Sequence, residues 1–225
     1  METMKAAQSL NFGVLGTGVV GQTLGSKLIA LGHHVRMGAR QAGNDKAAAW
    51  TRAAGPRASE GSFADAASFG TVIFNCTSGA GTLSALGAAK ADNLRDKVLV
   101  DVSNPLDFSK GMPPSLFTPS GDSLAEQIQR AYPSTRVVKA LNTITASVMV
   151  DPARVGGGEH DVFLCGNDAA AKAQVAGLLR DGFGWQTVHD FGDITGARGL
   201  EAYVLFWVRA WGTLGTAEFN LRLVR

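Results

Sequence analysis

Cysteine is scarce in this chain: Cys76 and Cys165 are the only two among 225 residues. Two thiols are too few for a disulfide framework or a four-thiolate zinc site. Long apolar runs are also missing. The best stretch, residues 202–208, is stopped by Arg209, far short of the ~20 residues that a membrane-spanning helix needs. Residues 1–12 lack the apolar segment of a secretory signal. Neither sign of charge is in excess: 21 Lys and Arg against 19 Asp and Glu leave a net charge of +2. That balance excludes the basic footprint of a nucleic-acid or membrane-surface binder. The expected class is therefore a soluble cytoplasmic protein with small-molecule partners. Apolar residues, by contrast, make up 45% of the chain, enough for a sizeable core. Glycine is over-used, at 28 residues, where an average share of about 7% gives roughly 16. No collagen period or Gly/Ser tract accompanies it, so the fold needs backbone freedom at particular places.

Short apolar runs alternate with helix-compatible segments, the pattern of an α/β, doubly wound parallel sheet. Strands are expected at 12–15, 34–37, 72–76, 98–102 and 136–140, with a weakly written one near 57–60. Their nearly continuous Val, Ile and Leu content suits burial on both faces. Helices are expected at 19–31, 45–54, 82–89 and 123–132. The texture changes after Asn142. Asp151-Pro152 and Gly156–Gly158 read as a connection, followed by a strand (161–165), a helix (169–181), a strand (186–189) and a long apolar helical region from Arg198. Residues 1–150 thus read as a dinucleotide-binding domain and 151–225 as a small C-terminal α/β lobe packed on it, completing its cleft.

The segment Gly16-Thr17-Gly18-Val19-Val20-Gly21 carries the chemistry. It is G-x-G-x-x-G directly after a strand and opening a helix, the arrangement of a Rossmann-type phosphate loop. Gly16 permits the tight turn, Gly18 lets the backbone approach a pyrophosphate, and Gly21 lets helix and strand pack. The amides of Thr17, Gly18, Val19 and Val20 then face the ligand at the positive end of the helix dipole. An NAD site wants Asp or Glu about 20 residues on, to bond the ribose 2′-hydroxyl. No acidic residue lies between Glu2 and Asp45. Arg40 stands at the expected place, and its planar fork suits a 2′-phosphate. The cofactor read from these residues is NADP(H). Cys76, Thr77 and Ser78 end the fourth strand at the sheet edge where open α/β folds bind ligands.

With these residues in hand the chain resembles the coenzyme F-420-dependent NADP oxidoreductases (8-hydroxy-5-deazaflavin:NADPH oxidoreductases). Their nucleotide-binding fold also occurs in the reductase domain of STEAP metalloreductases. The resemblance rests on Gly16-Thr17-Gly18, Gly38-Ala39-Arg40, Asp101-Val102-Ser103-Asn104-Pro105, Val137 through Thr143, and Asp190 through Glu201. It implies that Thr17 to Val20 hold the pyrophosphate and Arg40 the 2′-phosphate. It also places Cys76, Thr77 and Ser78 beside the ribose and nicotinamide, and Ala140, Asn142 and Thr143 beneath the nicotinamide and a second cofactor, coenzyme F-420 or a flavin. Two positions depart from the family pattern. Ala39 replaces a Ser or Thr, and Asn44 replaces a lysine, with Lys46 nearby as a substitute.

Direct hydride transfer between two rings needs positioning rather than a nucleophile, and the sequence offers no acid–base constellation. No catalytic residue and no metal ligand is nominated. His33 and His34 read as solvent-facing turn residues, and His160 and His189 as isolated. Asp101 reads as a strand end that caps its loop. Cys76 reads as a buried thiol beside a cofactor, and the Asn75-Cys76-Thr77 sequon as unused. Residues 200–207 are apolar almost all round, and Trp207 and Trp211 form an i, i+4 pair. A helix of that kind is buried, in the core or against another subunit, so a homodimer is expected. The functions to be weighed are hydride transfer between NADPH and a deazaflavin, reduction of a flavin, metal complex or small carbonyl on the same fold, and non-catalytic NADP(H) sensing.

Overall fold

The computed structural model describes residues 9–225. Of the N-terminal stretch 1–12 read above, residues 1–8 lie outside the described residues. In chain order the elements begin β1 (Asn11–Leu15), α1 (Val19–Ala30), β2 (His34–Ala39), α2 (Asp45–Ala54), β3 (Ala58–Ser62), α3 (Phe63–Phe69) and β4 (Val72–Asn75). They continue as α4 (Gly79–Ala89), α5 (Ala91–Leu94), β5 (Val98–Asp101), the small hairpin β6 (Leu106–Asp107) and β7 (Ser115–Leu116), α6 (Leu124–Ala131) and β8 (Arg136–Ala140). Last come α7 (Ala146–Val150), β9 (Asp161–Gly166), α8 (Ala169–Gly177), β10 (Thr187–Asp190) and α9 (Ala197–Leu214).

Eight strands form one sheet in the order β10-β9-β8-β5-β4-β1-β2-β3. All neighbours pair in parallel except β8 and β9, which are antiparallel. The sheet therefore runs on through residues 151–225. Side-chain alternation along each strand divides the core in two. Phe12, Val14, Phe74, Val100 and Val138 point to the layer of α1, α2, α7 and α8. Leu15, Ile73, Leu99, Val137 and Cys165 point to the layer of α3, α4, α6 and α9. Chain order reverses between β1 and β4, so their C-terminal ends diverge into a crevice.

Several boundaries differ from expectation, each for a local reason. Residues 63–69 form a helix that periodicity does not announce. Its start is written as a capping box, with the Ser62 hydroxyl accepting from the Asp65 amide and the Asp65 carboxylate accepting from the Ser62 amide. The helix expected over 169–181 stays α-helical only to Gly177 and closes through a wider π-type turn, Leu178–Gly182. The C-terminal helix is not buried all round. Ala197, Leu200, Glu201, Val204 and Val208 form one buried stripe, while Leu205, Phe206, Trp211 and Leu214 are exposed. No helix among the described residues is long and apolar enough to cross a membrane.

Candidate functional site

The turn after β1 is locked by backbone. Gly16 has φ +119°, where a side chain is strained, and its amide donates to Gly38 O at 3.0 Å. A Cβ on Gly21 would stand 2.2 Å from Gly16 O, so only glycine lets α1 begin there. Gly18 is the N-cap, no side chain caps the helix, and its first turn holds no acid. Amides with no partner at a helix start make a ready anion site. They open into a cleft of about 820 Å³ lined by Gly16, Thr17, Gly18, Ala39, Arg40 and the segment Cys76-Thr77-Ser78, with no Asp or Glu in its lining. Ala39 is buried, while Arg40 is exposed at the rim and joins no ion pair among the described residues. Asn44 also faces this cleft, but its side chain is engaged: Oδ1 accepts from the Ala47 amide at 3.2 Å, capping α2. Lys46 is exposed and lies outside the cleft lining.

The far wall is polar and tied inward. Thr77 Oγ1 donates to Asn75 Oδ1 at 2.7 Å and lies 3.0 Å from Thr82 Oγ1. Asn75 is fully buried, which makes the sequon unusable, and its Nδ2 donates to Asp101 Oδ1 at 2.7 Å. Burial, then the Asp101 carboxylate, push the Cys76 thiol far above its ordinary range. Cys76 is only half-buried, not buried as read from the sequence, and lines the cleft, so its surroundings disfavour the thiolate that a nucleophile needs.

Beneath this wall lies a buried ionic centre that the sequence reading passes over. Lys139 Nζ is 2.7 Å from Asp101 Oδ2 and 2.9 Å from Glu201 Oε1, and it also donates to Ser103 O. All three side chains are essentially inaccessible. Burial lowers the lysine's pKa, but the two carboxylates outweigh it and hold the ammonium above its usual range. Glu201 further accepts from the Leu124 and Ala125 amides at 2.8 and 3.1 Å, at the start of α6. Asp101 does cap its loop, through the Ser103 amide and hydroxyl. A signal was present: a lysine in an apolar strand and a glutamate in an apolar helix are rarely buried unless paired.

A second cleft of about 540 Å³ lies against the same helix start. It is lined by Val20, Phe108, Met112, Asn142, Trp207 and Trp211, with other apolar residues and Asn104, and no lining residue is ionisable. Val20 faces this cleft and Gly18 the first one, while Val19 is 75% exposed on the lip. Asn142 is not a free contact. Its Nδ2 donates to Asn104 Oδ1 at 2.9 Å and Leu200 O at 3.0 Å, and Asn104 Nδ2 returns a bond to Asn142 O at 2.7 Å. Ala140 and Thr143 are buried and line neither cleft; Ala140 packs in the core beneath the sheet edge.

The histidines need correction. His33 is buried against Phe12, with ring centroids 5.0 Å apart, and its Nδ1 accepts from the Leu10 amide. His34 is exposed. His160 is buried between Pro152 O and Asn220, and His189 lies 2.9 Å from Asp161 Oδ2. Among the described residues no group of three His, Cys, Asp or Glu could hold a metal ion.

Comparison with known proteins follows this geometry. A family described as NADP oxidoreductase, coenzyme F420-dependent, matches residues 11–105. Over 202 residues the chain is 31% identical to metalloreductase STEAP3 of Rattus norvegicus, covering 88% of this chain and 37% of that protein. Over 140 residues it is 31% identical to the F420-dependent NADP reductase of Methanocaldococcus jannaschii, covering 61% of this chain and 60% of that one. The chain thus spans less than two thirds of either relative. The crystal structure of a candidate F420-dependent NADP reductase from Arthrobacter sp. FB24 superposes with a TM-score of 0.93 at 50% identity. That match covers 96% of this chain and 100% of the other.

Proposed function

Because the chain belongs to the coenzyme F-420-dependent NADP oxidoreductase family, we propose that this NADP-dependent oxidoreductase moves a hydride between NADP(H) and a deazaflavin. The observation that carries the reading is the meeting of two unlike clefts at the start of α1. One offers uncapped amides and an unpaired arginine; the other offers aromatic rings and no ionisable group. When bound, the dinucleotide supplies the hydride chemistry. The amides of Thr17, Gly18, Val19 and Val20 hold the pyrophosphate, Arg40 holds the 2′-phosphate, and Thr77 and Ser78 line the wall toward the second cleft. Residues 151–225 supply Val204, Trp207, Val208 and Trp211 to the wall of the second cleft. With no acid or base lining that cleft, the chain contributes by fixing two rings in place, an effect worth about 7–11 kcal/mol when fully realised.

The similarity to a metalloreductase favours a second reading, reduction of a metal complex or flavin on the same fold. A flat, uncharged acceptor suits the aromatic lining better than an anionic chelate. The exposed face of α9 is the surface we assign to a homodimer contact, and the cytoplasm is the proposed compartment. Purified protein with NADPH and, separately, coenzyme F-420, FMN and a ferric chelate tests the acceptor by loss of nicotinamide absorbance. Turnover with the deazaflavin is expected. Turnover with flavin alone refutes the proposed acceptor, and tight NADPH binding without any turnover makes the protein a sensor.

A further inference from the structure

Spacing alone gives the dinucleotide site no acidic residue, because none lies between Glu2 and Asp45. No acid lines the cleft itself, but the neighbouring strand brings one to the back of its loop. In the parallel pair β2–β3, Glu60 sits opposite Met37, three residues before Arg40. Its Oε2 accepts from the Gly43 amide at 3.0 Å, and Gly43 lines the first cleft together with Arg40, Gln41 and Asn44. Resting on the dinucleotide reading above, we propose that Glu60 sets how strongly this cleft prefers a 2′-phosphorylated dinucleotide, as a counterweight to Arg40.

The physical case has two parts. First, the 40–44 loop turns through Gly43 at φ +77°, and its backbone amides are natural donors to a phosphate beside Arg40. Glu60 takes one of them. Second, Arg40 makes no ion pair with Glu60 among the described residues, so that arginine does not offset the carboxylate's charge. A dianionic phosphate brought to the loop meets that charge, whereas a neutral ribose hydroxyl does not. The penalty falls on one ligand class only. Glu60 is partly exposed, so the repulsion is screened by water and salt.

The test is calorimetric titration of wild type, Glu60→Gln and Glu60→Ala with NADPH, NADH, 2′,5′-ADP and 5′-AMP at low and high salt. Glu60→Gln keeps an acceptor for the Gly43 amide and removes only the charge. It should tighten NADPH and 2′,5′-ADP by about 3–10-fold and leave NADH and 5′-AMP within about twofold, the gain shrinking at high salt. Glu60→Ala should tighten the phosphorylated pair at least as much, since the amide is also released. Equal changes in both ligand classes, or weaker NADPH binding by both variants, overturn the role of Glu60 while leaving the dinucleotide cleft intact. Wild-type protein that binds neither dinucleotide overturns the cleft assignment and this inference with it.

Discussion

Replacing Lys139 by methionine is the sharpest perturbation available, because it removes a charge at nearly constant volume from a site closed to solvent. The lysine faces Asp101 at 2.7 Å and Glu201 at 2.9 Å, both fully buried. After the substitution Asp101 retains the Asn75 amide and the Ser103 amide and hydroxyl. Glu201 retains two amides of α6. Neither carboxylate retains a cation within hydrogen-bond reach. Breaking a buried pair in this way costs about 3–5 kcal/mol. For a chain of this size each kcal/mol moves Tm by about 2–4 °C, so Lys139→Met should melt roughly 6–20 °C lower near neutral pH.

The pH dependence separates this mechanism from a simple packing loss. In the wild type the lysine's folded pKa is raised above 10.5. Its contribution is therefore fully present below the unfolded value and is lost only as pH rises through the folded one. In Lys139→Met two buried carboxylates are stranded without a cation instead. Protonating them relieves the fold, and the gap to wild type narrows as pH falls from about 7 toward 5. Urea unfolding of both proteins across that range measures the gap. A loss below about 1 kcal/mol, or one that stays constant with pH, refutes the buried ionic centre.

Two further perturbations address the first cleft. Arg40→Ala should narrow the preference for NADPH over NADH by about 10-fold or more, read from paired titrations; an unchanged ratio means that Arg40 does not meet the 2′-phosphate. A Cβ on Gly18 meets nothing within 4 Å, whereas one on Gly21 clashes with Gly16 O. Gly18→Ala should thus cost no more than about 1 kcal/mol of stability yet weaken NADPH by about 10-fold, and Gly21→Ala should lose about 2 kcal/mol or more. Equal melting of the two variants contradicts the division between a ligand-facing and a packing glycine.

Local features were legible in the chain because local rules write them. The phosphate loop joins a short continuous apolar run, buried on both faces, to a helix, and its glycines stand where spacing puts them. Arg40 directly follows β2, where the end of a continuous apolar strand puts it. What depends on neighbouring strands was not legible. Glu60 reaches the dinucleotide loop through the register of β2 with β3. Lys139 finds Asp101 because β5 pairs with β8, placing the two opposite each other. The short helix α3 was hidden because seven residues give too little periodicity, although its capping box was readable. His33 looked like a turn residue because it follows Gly32, yet it folds back onto Phe12.

One chain of polar residues between the two clefts is spent on itself. From Thr77 in the first cleft the contacts pass through Asn75 and Asp101 to Lys139 and Glu201. Leu200, next to Glu201 in the chain, accepts from Asn142, which pairs with Asn104 in the second cleft. Each of these side chains has a protein partner, so none is free to serve as an acid or base. No Asp, Glu, His or Lys lines either cleft among the described residues, so the proton that accompanies a hydride into an acceptor ring would come from solvent, while the bonded network ties the two walls together. What the two walls supply together is a fixed separation, which is the contribution that positioning makes to a hydride transfer.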